Sequence, residues 1–491
     1  MTDKTIHFIS LGCPKNRVDS EVMLGVAERE GYRHVAAPDG ADVIVVNTCG
    51  FIDAAKKESV DTILAMADHK ATGRCSRLVV AGCLSQRHPD ELAAGLPEVD
   101  HFLGSSDMLA LGSVLRGDAD RMLVGNPADW LVAAESPRRL SSHAGSAYVK
   151  IAEGCNRSCS FCVIPSLRGK QRSRRIPDVV REVEELVARG VKEVNLVSQD
   201  TIAYGRDLPA AESRELAELV HAVAEVKGLA WVRIFYLYPE KLSEPLVELL
   251  AEHPRVLPYV DMPLQHAADA MLRRMKRGHG GARLRKVVDD LRAKVEDLVF
   301  RTAFIVGHPG ETDTEFDELC EFVAWAEFDR VGVFRYSDEE TSHSATLAAK
   351  VEQRVATTRY KKLMTMSRRI AKKKNQALVG SELDVLVEGA SEEHEAVLAG
   401  RHRGQAPEID GLVYLSGTES LERLPKPGEL VRVKITQASD YDLAGEVTGF
   451  LSRATARRAG PARGESAKVG ARGAGQRISL RVLPTDNRGV S

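Results

Sequence analysis

Three cysteines fall within eight positions of the segment EGCNRSCSFCVIP, residues 153–165, in the spacing C-x3-C-x2-C. A structural zinc site closes with four ligands, and no second C-x2-C or H-x3-H pair follows this segment. An iron-sulfur cluster fits three thiolates better, because it leaves its fourth iron open to a small molecule. We therefore predict that Cys155, Cys159 and Cys162 hold a 4Fe-4S cluster.

The open iron suits S-adenosylmethionine, whose amino and carboxylate groups can chelate it while an electron from the cluster cleaves the sulfonium. Phe161 would shield the cluster from water and pack against the nucleoside, unless it is an ordinary core residue. The cysteine spacing, with an aromatic residue before the last cysteine, resembles that of the radical S-adenosylmethionine (radical SAM) enzymes. The resemblance implies that S-adenosylmethionine is a cofactor and a source of radicals.

A second set of cysteines lies near the start of the chain, each at the end of a strand-like run. Cys13 ends TIHFISLGC, Cys49 ends ADVIVVNTC and Cys83 ends RLVVAGC, with helical stretches between the runs. Parallel strands joined by helices bring their carboxyl ends to one edge of a sheet. We predict that these thiols converge on a second 4Fe-4S cluster; the alternative is buried structural cysteine, which we expect for Cys75 and Cys320.

The composition describes a globular protein of more than one domain. The chain has 491 residues, of which 43% are hydrophobic and 28% charged, and its formal net charge is −2. Two to four domains are expected at this length. No apolar run approaches the roughly 20 residues of a membrane-spanning helix, and the first residues lack the pattern of a signal peptide. We therefore expect a cytoplasmic protein with no membrane partner.

After the cysteine motif, apolar strand-like runs alternate with charged helical stretches, which predicts βα units around a parallel sheet. Ligands of such folds bind at the carboxyl ends of the strands. The polar or turn residues at these ends that we assign to the cofactor are Gln199, Arg233 and Gly307, and those that we assign to the substrate are Asp261, Gln265 and His266. Asp200 and the rest of the 307–311 turn lie nearby, and Thr312 is predicted to cap the next helix. For each residue singly, the alternative is a turn former or a helix cap.

The C-terminal third begins with a basic helical stretch, TRYKKLMTMSRRIAKKKNQALVG, that would contact ribosomal RNA or form a solvated helix face. Short alternating strands then predict a small five-stranded barrel, whose position resembles that of the TRAM domain. Asp440 and Asp442 at its expected tip suit a basic protein substrate, or are solvated loop acids. From Leu451 the chain is rich in Arg, Gly and Ala, and we expect disorder.

The order of these parts resembles the methylthiotransferases, a radical SAM family, over about residues 4–446. The segments SLGCPKN at 10–16 and PLQHA at 263–267 resemble the branch that acts on small-subunit ribosomal protein S-twelve. The resemblance implies insertion of sulfur and a methyl group at the β-carbon of an aspartate, with an electron donor that the sequence leaves unknown. It also implies an α/β fold in these parts: an N-terminal parallel-sheet domain over 1–105, a linker over 106–140, a radical SAM partial (β/α) barrel over 141–375, a TRAM-like β-barrel over 376–446 and a basic tail over 447–491.

Two other functions stay open at this point. A transfer-RNA methylthiotransferase would carry the same two clusters and differ only in its substrate. A non-enzymatic iron-sulfur or zinc module that binds RNA would use the cysteines without cleaving S-adenosylmethionine.

Overall fold

The computed structural model describes residues 4–141, 145–239, 242–391 and 397–451. Its N-terminal part is a parallel sheet in the order β2-β1-β3-β4-β5-β6. The strands are β1 Thr5–Ser10, β2 Arg33–His34, β3 Val43–Thr48, β4 Arg77–Gly82, β5 His101–Leu103 and β6 Met122–Leu123. The central strands are apolar runs buried on both faces, as expected where helices cover both sides of a parallel sheet.

Helices connect these strands and build a core on each face of the sheet. They are α1 Pro14–Arg29, α2 Asp53–Thr72, α3 Cys83–Arg87, α4 Pro89–Gly95 and α5 Leu111–Arg116. The 106–140 segment contributes to this unit, since α5 packs in the core beside α1 and β6 pairs with β5. Burial of Leu111 and Val114 is the physical reason, because their apolar side chains complete one face of the sheet.

The central part is a second parallel sheet, open at both edges, in the order β14-β13-β12-β11-β10-β7. Its strands are β7 Ser146–Lys150, β10 Glu193–Val197, β11 Trp231–Ile234, β12 Val256–Asp261, β13 Val299–Val306 and β14 Arg330–Arg335. A short antiparallel pair, β8 Ala152–Glu153 with β9 Arg172–Ser173, flanks the cysteine motif. The predicted parallel βα architecture is confirmed.

The helices of the central part cover the outer face of this sheet, around one large apolar core. They are α6 Ile164–Arg168, α7 Ile176–Ala188, α8 Leu216–Ala224, α9 Glu244–Glu252, α10 Asp269–Arg274, α11 Gly281–Lys294, α12 Asp313–Ala326 and α13 Gln353–Ala377. Thr312 caps α12 as predicted, and Glu315 completes a capping box with it. None of the helices in the described ranges is both long enough and apolar enough to cross a membrane.

The C-terminal part is a closed barrel in the order β15-β16-β17-β19-β18, as predicted. Its strands are β15 Glu382–Ala390, β16 Leu398–His402, β17 Val413–Ser416, β18 Leu430–Ala438 and β19 Leu443–Phe450. Closure satisfies the backbone hydrogen bonds at both edges of so small a sheet. The predicted tail lies, from residue 452 on, outside the described residues.

A buried charge network joins the N-terminal part to the central part. Asp19 on α1 accepts hydrogen bonds from Lys150 at 2.6 Å and from Arg168 at 2.7 Å, and all three side chains are buried. Glu153 also pairs with Lys150, so two acids balance two bases. Buried ions held in this way require fixed geometry, because each would be costly without its partner. The network therefore fixes α1 against the strand and helix that flank the cysteine motif.

A second buried network joins the central sheet to the barrel. Glu193 on β10 forms ion pairs with Arg233 of β11 at 3.0 Å and with Arg401 of β16 at 2.6 Å, and all three side chains are fully buried. The Arg233 guanidinium also donates to the carbonyls of Arg403 and Gln405. Burial raises the pKa of Glu193, but Arg401 and Arg233 lower it by more, to about 2. The carboxylate therefore stays ionised inside the protein.

Candidate functional site

All six cysteines of the two sequence motifs line one cavity, where the carboxyl ends of the two parallel sheets face each other. Cys13 follows β1 and precedes α1, Cys49 directly follows β3, and Cys83 begins α3 after β4. The other three cysteines lie between β8 and α6. The sheet topology delivers the first set, because β1, β3 and β4 are neighbours and end at the same edge.

The first set packs so closely that glycine is required beside it. Gly12 has φ +88°, and a Cβ added there would lie 2.9 Å from the Cys49 Cβ. A Cβ on Gly50 would lie 2.8 Å from the carbonyl oxygen of Cys83. Any larger residue would push apart the loops that carry the thiols. Burial raises the pKa of Cys49, and the neighbouring Cys83 and Cys13 raise it further.

The thiols of the second set also repel one another; Cys155 is buried, and Cys159 and Cys162 are half-buried. Burial raises the pKa of Cys155 to about 11 and that of Cys162 to about 12, and repulsion from Cys159 contributes to both shifts. Such thiols are neutral at pH 7 when nothing is bound. A bound metal centre reverses this preference, because its positive charge favours the thiolates.

An arginine donates a hydrogen bond to one sulfur of each set. The Arg168 Nε lies 3.3 Å from the Cys83 Sγ, and the Arg277 Nη1 lies 3.3 Å from the Cys159 Sγ. Sequence reasoning missed both arginines, because Arg277 follows the cysteine motif by more than one hundred residues and Arg168 reaches a sulfur in the other part of the chain. Hydrogen bonds to ligating sulfurs tune iron-sulfur clusters.

The donor chemistry of both sets fits 4Fe-4S clusters. Each set offers three thiols and a guanidinium N–H that donates to one of the sulfurs. A single metal ion is a different case: throughout the described part of the chain, no group of three or more His, Cys, Asp or Glu side chains is placed to hold one. One zinc ion draws its sulfur ligands to about 2.3 Å from a single point, whereas a cluster distributes its thiolates over separate irons.

Three of the other predicted site residues line the cavity: Phe161, Gln199 and Gln265. Phe161 is half-buried and packs on Met271 and Met275. Gln265 lies four residues after the end of β12 and has φ +72°, a strained backbone conformation for a residue with a side chain. The Gln199 amide donates to Glu153, and its own buried oxygen has no partner among the described residues. An unsatisfied acceptor at this position is available to a ligand.

Four predicted residues of the central part lie outside the cavity lining. Arg233 forms an ion pair with Glu193, and its guanidinium faces the barrel. Gly307 has φ +78° and faces Ala356 of α13, where a Cβ would lie 2.5 Å from the Ala356 Cβ. The other two are buried behind the lining: Asp261, which pairs with Arg301 at 2.6 Å, and His266, which lies 3.2 Å from Glu311. Arg301 itself lines the cavity, so Asp261 orients a lining residue.

Asp440 and Asp442 lie between β18 and β19, also outside the cavity lining. Asp440 faces two bases of α13, Arg368 at 3.7 Å and Lys372 at 3.5 Å. Asp442 accepts the backbone N–H of Leu412 at 2.9 Å. Other bases of α13 are paired with acids on neighbouring elements, as Lys374 is with Asp329. This pairing favours a helix that binds within the protein, and the contact with ribosomal RNA stays a prediction.

Lys15 and Tyr236 also line the cavity and were not predicted. The Lys15 Nζ lies 3.5 Å from the centre of the Tyr236 ring, which joins the N-terminal and central parts by a cation–π contact. Lys15 stands two residues after Cys13 in the SLGCPKN segment, and this proximity is the sequence signal that could have identified it. Tyr236 follows β11 with φ +59°, and nothing in the local sequence indicates this conformation.

The chain matches three family models in the order of its three parts. Residues 5–104 match the model described as "Uncharacterized protein family UPF0004", residues 149–323 match the radical SAM superfamily, and residues 379–448 match the TRAM domain. The two cysteine sets fall in the first and second matches, respectively. The barrel corresponds to the third.

Curated relatives match nearly the whole chain. A ribosomal protein uS12 methylthiotransferase RimO from Sorangium cellulosum is 67% identical over 492 residues, covering 99% of this chain and 99% of the relative. The protein of the same name from Myxococcus xanthus is 47% identical, covering 91% of this chain and 92% of the relative. Among solved structures, the radical SAM methyltransferase TsrM from Kitasatospora setae has a TM-score of 0.50 at 14% identity, over 68% of this chain and 75% of that one, which shows a shared fold.

Proposed function

Because this chain belongs to the RimO family of ribosomal protein uS12 methylthiotransferases, we propose that it inserts sulfur and a methyl group at the β-carbon of an aspartate in uS12, the small-subunit protein S-twelve. The observation that carries the proposal is the convergence of two cysteine sets, from two parts of the chain, on one cavity. Insertion of sulfur into an unactivated C–H bond needs a radical source and a sulfur source in reach of the same carbon. One cavity with two sulfur-rich walls meets that requirement.

The residues around each set have distinct roles in this proposal. Cys155, Cys159 and Cys162 hold one 4Fe-4S cluster, and Cys13, Cys49 and Cys83 hold the other. When bound, the two clusters supply the electron that cleaves S-adenosylmethionine and the sulfur that is inserted. A second S-adenosylmethionine supplies the methyl group.

In this reaction the protein's own side chains bind the cofactor, orient the cysteine sulfurs and exclude water. Phe161 covers the radical-generating side from water, and the unsatisfied Gln199 amide oxygen accepts a hydrogen bond from the cofactor. Arg277 and Arg168 fix one sulfur of each set through their N–H donors. The Asp19 network keeps the two walls in register, because it bridges α1 and the elements beside the cysteine motif. Modification of a ribosomal protein also supports a cytoplasmic location.

The test separates the two cysteine sets. Cys159→Ala should abolish cleavage of S-adenosylmethionine in anaerobically reconstituted protein, whereas Cys83→Ala should retain cleavage and lose sulfur insertion. Each variant should bind about four irons, against about eight in the wild type. Cys75→Ala is the matched control, because Cys75 is buried in the N-terminal core away from the cavity and should keep both activities. Equal loss of cleavage in the Cys159 and Cys83 variants would contradict the assigned roles.

Mass spectrometry of cells that lack the gene identifies the substrate. The proposal requires an unmodified aspartate in uS12 together with intact thiomethylation of transfer RNA. Loss of the transfer-RNA modification with a normal uS12 would instead select the alternative substrate.

A further inference from the structure

The cavity contains a buried cation that no carboxylate of the described residues contacts directly. Lys15 lies in the first turn of α1, is 7% exposed and lines the cavity. Among the described residues, no carboxylate forms an ion pair with its ammonium group and no cysteine sulfur accepts a hydrogen bond from it. Removing an ammonium group from water without a counter-ion is costly, so an unpaired one at a cavity wall indicates an anionic ligand.

The other buried cations of the cavity wall have anionic or sulfur partners. Among the described residues these partners are Asp19 for Arg168 at 2.7 Å, Asp261 for Arg301 at 2.6 Å, and the Cys159 sulfur for Arg277 at 3.3 Å. Each cysteine set thus already has an arginine donor, and Lys15 serves neither set in this way. Its charge is available to a molecule that enters the cavity.

Tyr236 holds the Lys15 side chain and adds a second donor. Its ring lies under the ammonium at 3.5 Å, and its hydroxyl is buried with no hydrogen-bond partner among the described residues. Its φ of +59° is maintained by its neighbours, since its N–H donates to the Asp261 carboxylate at 3.2 Å. An ammonium and a hydroxyl side by side are suitable donors for the two oxygens of one carboxylate.

We propose that Lys15, with Tyr236, binds the carboxylate of the substrate aspartate and thereby selects aspartate over a neutral side chain. The inference rests on the proposed function, which requires an aspartate in the same cavity. A carboxylate on Lys15 would hold the adjacent β-carbon in the cavity that both cysteine sets line, where hydrogen abstraction and sulfur insertion must both reach it. A neutral amide at this position would not form the ion pair with the ammonium, which gives selectivity as well as affinity.

The test combines two forms of uS12 with variants of the full-length enzyme. The two forms carry aspartate or asparagine at the modified position, and their affinity is measured by fluorescence anisotropy on protein of verified iron content. Lys15→Met keeps the length of the side chain and should weaken binding of the aspartate form about 10- to 100-fold, with little effect on the asparagine form. Lys15→Arg should keep the preference for aspartate, because it keeps the charge.

Two further variants complete the design. Lys57→Met makes the same substitution on an exposed ion pair of α2 and should change neither affinity. Tyr236→Phe removes only the hydroxyl, which has no hydrogen-bond partner within the described ranges, and should weaken binding of the aspartate form about 3- to 10-fold. This variant tests the inference even where Lys15→Met fails to fold or loses iron.

The possible outcomes separate the inference from the function on which it rests. The role of Lys15 would be overturned if Lys15→Met and Tyr236→Phe weakened the binding of both forms of uS12 equally. It would also be overturned if they weakened the binding of neither form. A higher requirement for S-adenosylmethionine with unchanged uS12 binding would also overturn it, because the carboxylate would then belong to the cofactor. A wild-type enzyme that neither binds nor modifies uS12 would refute the proposed function itself.

Discussion

The buried pair of arginines around Glu193 gives a prediction whose size follows from the structure. Glu193, Arg233, Arg401 and Glu388 form a network with two acids and two bases between the central sheet and the barrel, in which the first three are fully buried and the Glu388 side chain is 7% exposed. Glu193→Gln keeps the shape of the side chain and removes one negative charge. The variant therefore buries one uncompensated guanidinium charge at the junction.

Two independent arguments give a similar value for the folding free energy lost in Glu193→Gln. Lowering the pKa of Glu193 from 4.5 to about 2 corresponds to about 3 kcal/mol of folding free energy at neutral pH. Removing one partner of a buried ion pair costs about 3–5 kcal/mol. We expect Glu193→Gln to lower the free energy of unfolding by about 3 kcal/mol at pH 7.

The sign of the pH dependence follows from the lowered pKa. The contribution of Glu193 is complete above the pKa of an unfolded glutamate, 4.5, and is lost as the pH falls towards the folded value of about 2. The difference between wild type and Glu193→Gln should therefore shrink to about half near pH 3. At that pH the wild-type carboxyl begins to resemble the neutral amide.

Urea unfolding followed by the fluorescence of Trp231 measures this difference. Trp231 is buried in the apolar cluster that joins β11 to the barrel residues Leu386 and Ala406, so its emission reports on the junction. Replacing Trp130 and Trp325 by Phe isolates the signal of Trp231, since the chain has three tryptophans.

Glu212→Gln is the matched control, because Glu212 forms an exposed pair with Arg175 and should leave the unfolding midpoint unchanged. An unfolding midpoint for Glu193→Gln equal to that of the wild type at pH 7 would refute the reasoning. So would a difference that stays constant down to pH 3.

Two more predictions concern the first cysteine set. Gly12→Ala should reduce the iron content from about eight to about four and spare cleavage of S-adenosylmethionine, since its Cβ would lie 2.9 Å from that of Cys49. Gly31→Ala, at φ +80° with no described residue within 4 Å of the added Cβ, controls for backbone strain alone, and equal iron loss in both variants would contradict the steric argument. Arg168→Met should make iron loss to a chelator about 10- to 100-fold faster at the cluster held by Cys83. Arg168→Lys should lose iron more slowly than Arg168→Met. An unchanged rate of iron loss in both variants would show that the N–H···S bond has no role.

Much of the site could be predicted from the chain because its signals are local. The spacing of Cys155, Cys159 and Cys162 is a property of eight consecutive residues. The convergence of Cys13, Cys49 and Cys83 follows from a general rule, since neighbouring parallel strands end at one edge whatever the details of packing. The closed barrel likewise follows from strand periodicity and glycine turns.

The position of a residue near the end of a strand was a weaker guide to whether its side chain lines the cavity. Gln199 and Gln265 follow the ends of their strands and line the cavity, whereas Arg233 lies within β11, faces the barrel and binds Glu193. Alternate residues of a strand point to opposite faces, and the face that meets the cavity depends on which domain covers the other. Sequence periodicity cannot show that choice when both faces are buried.

Only the tertiary structure shows the charges of the site. Lys15 has no carboxylate partner among the described residues, and Arg168 reaches Cys83, because of how α1 and α6 pack across a junction between two parts of the chain. A lysine and an arginine have the same appearance in a sequence whether they are solvated, paired or unpaired. Their energies depend on partners far away in the chain, and folding alone brings those partners within a few ångströms.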